Sequence, residues 1–262
     1  VDYLFILPSF DEATSYSYKW CGRLIEQVKD KVTFVNLEKN KAIRSEVERT
    51  IEIEAPKVII HYDHGSEDRL IGQDEKAVID TENIFLLKDR TAYNMNCLSA
   101  KKLGVEAYKI GCTVYFGYIE SFSFTTYDEQ MFCEGANYGL ILYTEGESNW
   151  ATIKRKVFEK FSQLIDKATD PWTKLWLRND RDALRIYAEG VDMPESDCPA
   201  RQVGIRLLGL KVGWKLSRKF GLSLFLFLIG ILLQAIRMGV PLLVLAFLLL
   251  IYDYLKWLKK TS

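Results

Sequence analysis

The 262 residues are 48% hydrophobic, enough for one domain of ordinary size with material left over. The 35 basic and 35 acidic residues cancel. Five cysteines, at positions 21, 97, 112, 133 and 198, show no paired CxxC spacing, which argues against a disulfide framework and suits a reducing compartment.

The chain opens on YLFILPS, a short apolar run stopped by Pro and Ser that predicts a buried strand. SYSYKWCGRLIEQVKD carries apolar residues at helical spacing, VTFVNLE returns to a strand pattern, AIRSEVERTIEIEA predicts a second helix and KVIIHYDHG a third strand. Alternation of strand and helix predicts parallel pairing with right-handed crossovers, hence an α/β class. After His64 the pattern breaks: DRLIGQDEKAVIDTENIFLLKD suits a small excursion or hairpin before the next core strand, TAYNMNC. A helix is expected to begin directly at that strand's end, over SAKKLGVEAYKIG with Ser99 as its cap. CTVYFGYIESFSF predicts a fifth strand, and helices are expected around 127–143, 149–168 and 172–188. There is no internal repeat and no low-complexity segment, and PESDCPARQVG marks a linker.

The C-terminal part is different in character. FGLSLFLFLIGILLQAI, residues 220–236, is an apolar run at the short end of what spans a hydrocarbon core. After the turn RMG comes VPLLVLAFLLLIYDYLKWL, with Tyr252, Tyr254 and Trp257 where interfacial aromatics belong. Residues 201–262 hold ten Lys/Arg and one acid, leaving 25 basic and 34 acidic residues in 1–200. Cationic flanks favour the cytoplasmic side, so the expectation is a transmembrane helical hairpin with both termini and the main domain cytoplasmic. The boundaries expected are a main domain over 1–190, a basic linker over 191–219 and the hairpin over 220–258. The position of the cations beside apolar segments favours a lipid bilayer over nucleic acid as their partner. No signal-peptide pattern opens the sequence.

Both histidines of the chain lie in HYDHG. In parallel α/β sheets chemistry gathers at the carboxyl ends of strands, and His64 is expected there on the third strand, Cys97 on the fourth. An imidazole beside a thiol supports nucleophilic catalysis, because a nearby base or a helix N-terminus lowers the thiol's pKa. Gly65, without a Cβ, lets its backbone approach a scissile carbonyl, and the Gly65 and Cys97 amides are candidates for an oxyanion hole. His61, three residues from His64 on an extended strand, is expected to be a structural hydrogen-bonder. Asp63 is left open as a contact of His64, and Cys112 is expected to pack. With two histidines on opposed faces, HYDH lacks the ligands a zinc site needs, so no metal is expected.

HYDHG and NCLSA, in this strand order, resemble the caspase-like cysteine peptidases of the clan that includes caspases, gingipains, separases and the bacterial CHAT proteins. The resemblance covers about residues 2–145. The 33 positions between His64 and Cys97 are fewer than in caspases and NCLS lacks the QACRG signature, which points to the gingipain/CHAT branch and removes any warrant for aspartate specificity. The resemblance implies a caspase-like sandwich with a mainly parallel sheet flanked by helices, and a His64–Cys97 dyad without metal or organic cofactor. Family members that cleave after basic residues hold a carboxylate in the substrate pocket, and Glu120 in GYIESFSF is the candidate for that role. The function expected is a membrane-anchored cysteine endopeptidase acting on protein substrates, a prokaryotic defence or cell-death effector with a separate activating sensor protein. Two rival expectations are a membrane-disrupting hairpin regulated by the domain, and a non-catalytic caspase-like scaffold.

Overall fold

The computed structural model describes residues 1–193. The linker beyond residue 193, the expected hairpin over 220–258 and Cys198 lie outside the described residues. Among the described residues no helix is long and apolar enough to cross a membrane.

Six strands form the central sheet in the order β2 (Phe34–Glu38), β1 (Tyr3–Leu7), β3 (Val58–Tyr62), β7 (Thr91–Met95), β8 (Val114–Tyr118) and β9 (Leu184–Tyr187). All neighbours pair in parallel except β9, which runs antiparallel to β8. The β1 sequence YLFIL is buried at every position because helices cover both faces, which is why it reads as a continuous apolar run rather than an alternating one. Alternation within the strand sorts its side chains: Tyr3, Phe5 and Leu7 enter one core, Leu4 and Ile6 the other.

The first core packs α1 (Glu12–Val28), α4 (Glu129–Thr144), α5 (Trp150–Lys167) and α6 (Pro171–Ala183) on one side of the sheet; α2 (Arg44–Glu54) and α3 (Leu103–Lys109) cover the other. Helix α1 starts at a capping box, in which the Asp11 carboxylate accepts from the Thr14 amide and the Thr14 hydroxyl accepts from the Asp11 amide. Its buried Trp20, Cys21, Leu24, Ile25 and Val28 recur at helical spacing.

The excursion after His64 is a three-stranded antiparallel sheet of β4 (Gly65–Ser66), β5 (Arg69–Ile71) and β6 (Ala77–Asp80). It returns the chain so that β7 lies directly beside β3, in the register His61↔Asn94 and Tyr62↔Met95.

Two expectations about elements are corrected. The helix expected to begin at Ser99 begins at Leu103, with no side-chain cap at Lys102. The intervening residues are occupied elsewhere: the Leu98 amide donates to the Glu120 carbonyl and the Ala100 amide to that of Tyr118, so this stretch prolongs the sheet's main-chain pairing. The helix expected over 172–188 stops at Ala183, and Leu184–Tyr187 pairs with β8 as a sixth strand. A strand that follows a helix without a loop leaves no Gly or Pro between them to mark the change. Beyond it the chain turns back: the Ile186 amide donates to the Asp192 carboxylate and the Asp192 amide to the Ile186 carbonyl, while Lys154 pairs with the same carboxylate.

Candidate active site

Strands β3 and β7 end side by side, joined one step further by the Asp63 amide donating to the Met95 carbonyl at 3.3 Å. From these ends emerge Asp63-His64-Gly65 and Asn96-Cys97. His64 and Cys97 line one open cleft, whose other walls include Trp20, Met95, Phe122 and Phe124. The two residues expected to act together are therefore brought to the same opening.

Gly65 sits against the cysteine segment itself. A Cβ there would lie 2.8 Å from the Cys97 carbonyl oxygen and 3.0 Å from the Asn96 side chain, so a side chain at this position would push the two strand ends apart. The sequence predicts a close approach of Gly65 to a substrate; the close approach seen is to Cys97.

The imidazole is held from the β1–α1 loop. His64 Nε2 lies 2.7 Å from Asp11 Oδ2, and the Phe10 ring is 5.7 Å from the imidazole, centroid to centroid. Partial burial works against ionisation of Asp11, but the Thr14 amide and the His64 ring together outweigh it and hold the carboxyl below its usual range. His61 is a different kind of residue: fully buried, it lies between the Ile71 carbonyl at 2.7 Å and Asn96 at 3.0 Å. Burial depresses its pKa to about 4, so the ring is neutral and ties the excursion to the cysteine segment. Asp63 points to neither histidine ring as a partner; both its oxygens are sealed from solvent, and burial pushes its carboxyl up to about 8.

The thiol lies under the segment that follows β8. Its hydrogen-bond partners are the Phe122 carbonyl, 3.9 Å from Sγ, and the Ser121 side chain. Burial raises the thiol's pKa above its ordinary value, and these contacts offset only part of that. The helix dipole expected to help is absent, because α3 starts five residues beyond Leu98 and the turn after Cys97 is made instead by Leu98 at φ 62°. A leucine in the left-handed region is strained, and it turns the main chain sharply beside the sulfur.

Residues 121–125 form an aromatic strap. Phe122 packs edge-on against Tyr118 and Trp20, and Phe124 against Trp20 and Phe132. Helix α6 fastens it: the Ser123 amide donates to Asp180 at 3.0 Å, Asn179 donates to the Ser121 carbonyl, and Thr125 bonds Thr173. Asp180 is fully buried, and burial raises its carboxyl far above the usual range.

Glu120 is placed differently from the expectation. Its carbonyl holds the Leu98 amide, but its side chain is exposed and does not line the cleft. Cys112 packs as expected, its thiol directed at the Arg90 and Val114 carbonyls. Among the described residues no cluster of three or more metal-ligating side chains exists.

Sequence reasoning missed Asp11, Trp20, Phe122 and Asp180. The signal available for Asp11 was local, an Asp three residues before a Thr at a helix start, and it identifies a cap. Its approach to His64, 53 positions away, follows only from β1 and β3 being neighbours.

No family model matches the chain, and no curated protein matches it. Among solved structures, the chain is similar to caspase-1 from Spodoptera frugiperda, at a TM-score of 0.42 and 13% sequence identity, covering 72% of this chain and 87% of that one.

Proposed function

We propose that the chain is a cysteine endopeptidase of the caspase-like type, with Cys97 as nucleophile, His64 as its base and the Gly65 and Cys97 amides as oxyanion donors. The reading is carried by one observation: the only dyad-competent pair suggested by the sequence lines a single cleft at the carboxyl ends of adjacent parallel strands, with Gly65 packed on the cysteine segment. A thiolate generated there attacks a peptide carbonyl; the imidazole carries the thiol proton to the leaving amine, and water then releases the acyl group. The thiol is pushed up by burial under the strap, so cutting by the chain alone is expected to be slow and to rise when an activating partner shifts the strap. The apolar runs over 220–236 and 240–258, flanked by cations, support attachment to a bilayer with the domain at the cytoplasmic face; a role in defence or cell death is what the resemblance to caspase-like peptidases implies.

Cleavage of a mixed peptide library by the full chain in detergent tests the reading, beside Cys97→Ala and His64→Ala. Cuts made by wild type alone are the expected result. Equal cutting by the Cys97→Ala protein would remove the dyad from the chemistry, and the residue before each cut would read the specificity directly. Flotation of the full chain with vesicles, against a chain ending before residue 220, tests the anchor; equal flotation would exclude it.

A further inference from the structure

Asp11 is bound in two directions at once. Its Oδ1 accepts from the Thr14 amide at 2.8 Å, while its Oδ2 lies 2.7 Å from His64 Nε2. The first bond closes the capping box of α1, and with the Thr14 hydroxyl accepting from the Asp11 amide at 2.9 Å, it fixes the carboxylate's direction. The second places that carboxylate on the imidazole edge, with the Phe10 ring packed beside it. Of the other ionisable groups around His64, Asp63 is sealed and His61 is committed to Ile71 and Asn96. Cys97 reaches the same cleft. With Nε2 occupied by Asp11, Nδ1 is the nitrogen left to exchange a proton with sulfur.

We propose that Asp11 is a positioning residue for the dyad, holding the His64 ring so that Nδ1 serves Cys97 and its charge matches the imidazolium formed during the reaction. The proposal rests on the peptidase reading above. As the S–H bond breaks, its proton passes to Nδ1 and the thiolate forms the C–S bond with the peptide carbonyl carbon. Throughout, Nε2–H stays hydrogen-bonded to Asp11, which remains a carboxylate. When the C–N bond breaks, the Nδ1 proton leaves with the amine. A water then gives a proton back to Nδ1 as its oxygen attacks the thioester, and that proton returns to sulfur as the C–S bond breaks. A carboxylate at the far nitrogen of a catalytic imidazole acts by orientation and by charge, without taking the proton itself.

The two roles of Asp11 separate under substitution, because Asn and Ser cap helices about as well as Asp but carry no charge. The test follows alkylation of each cysteine by iodoacetamide, read by mass spectrometry on the full chain in detergent over about pH 5 to 9, together with the melting temperature. The comparison is among wild type, His64→Ala, Asp11→Asn, Asp11→Ser and Asp11→Ala. In Asp11→Asn and Asp11→Ser, Cys97 alkylation near neutral pH is expected to slow roughly tenfold, the scale of one charge-assisted hydrogen bond discounted for exposure. Its pH profile should move toward that of an isolated thiol while the melting temperature stays within a few degrees of wild type. Asp11→Ala should lose both properties. If the Asn and Ser variants keep the wild-type rate and profile while His64→Ala slows alkylation, the dyad stands and Asp11 is only a cap, which overturns the proposal. If His64→Ala leaves Cys97 unchanged, the peptidase reading fails and the role of Asp11 with it.

Discussion

Asp63 occupies an expensive position for a carboxyl group. Sealed next to His64 and raised to about 8 by burial, it binds a proton in the folded protein over a pH range where the unfolded chain has released it. The folded value lies above the unfolded one, so this residue's contribution to stability is greatest below about pH 4 and is lost as pH rises toward 8, by at most about 1.4 kcal/mol per pH unit. Asp63→Asn removes that slope. Urea unfolding at several pH values is therefore expected to show the variant gaining on wild type between about pH 4 and 8; parallel curves would mean that Asp63 is already ionised. None of this was readable from HYDHG, where Asp63 was one polar residue on a strand end. By contrast, His64, Gly65 and Cys97 could be named from the sequence because strand ends and a glycine leave local marks. The partner of His64 was hidden by its distance along the chain.

At the scale of elements, the central strands were legible because full burial writes continuous apolar runs, as in Tyr3–Leu7 and Val58–Tyr62. Boundaries set by pairing between distant main-chain groups were not. The late start of α3 depends on the Leu98 and Ala100 amides reaching the residues that end and follow β8, and no propensity at Ser99 records it. Helix α2 provides a case where local geometry alone decides an outcome. It ends at Ala55, exposed and left-handed with φ 44° and ψ 53°, where a Cβ is disfavoured and glycine is not. Ala55→Gly is expected to stabilise the protein by about 0.5–1 kcal/mol. A lower denaturation midpoint in that variant would show that Ala55 makes packing interactions outweighing its backbone strain.

For the molecule as a whole, an open sheet must deal with its edges. The β9 edge is closed from within, since the Ile186 amide is taken by the Asp192 carboxylate, which Lys154 also holds. Asp192→Ala would leave a main-chain donor unpaired on an antiparallel edge strand, and the expected outcome is concentration-dependent self-association seen by sedimentation; an unchanged sedimentation profile would mean that the turn backbone alone protects the edge. Such closure is global, because it joins the last strand to α5 and the chain beyond β9. The site at the other end of the strands is partly covered by a different device, the strap of residues 121–125 lying on Trp20, and Cys97 stays partly exposed beside it. That indole is fully buried, packed between Phe122 and Phe124 and donating to Glu129. Any movement of the strap changes the surroundings of this indole, so the protein carries its own optical gauge: the difference in emission between wild type and Trp20→Phe, which sets aside the other five tryptophans, follows the strap over the cleft with no label attached.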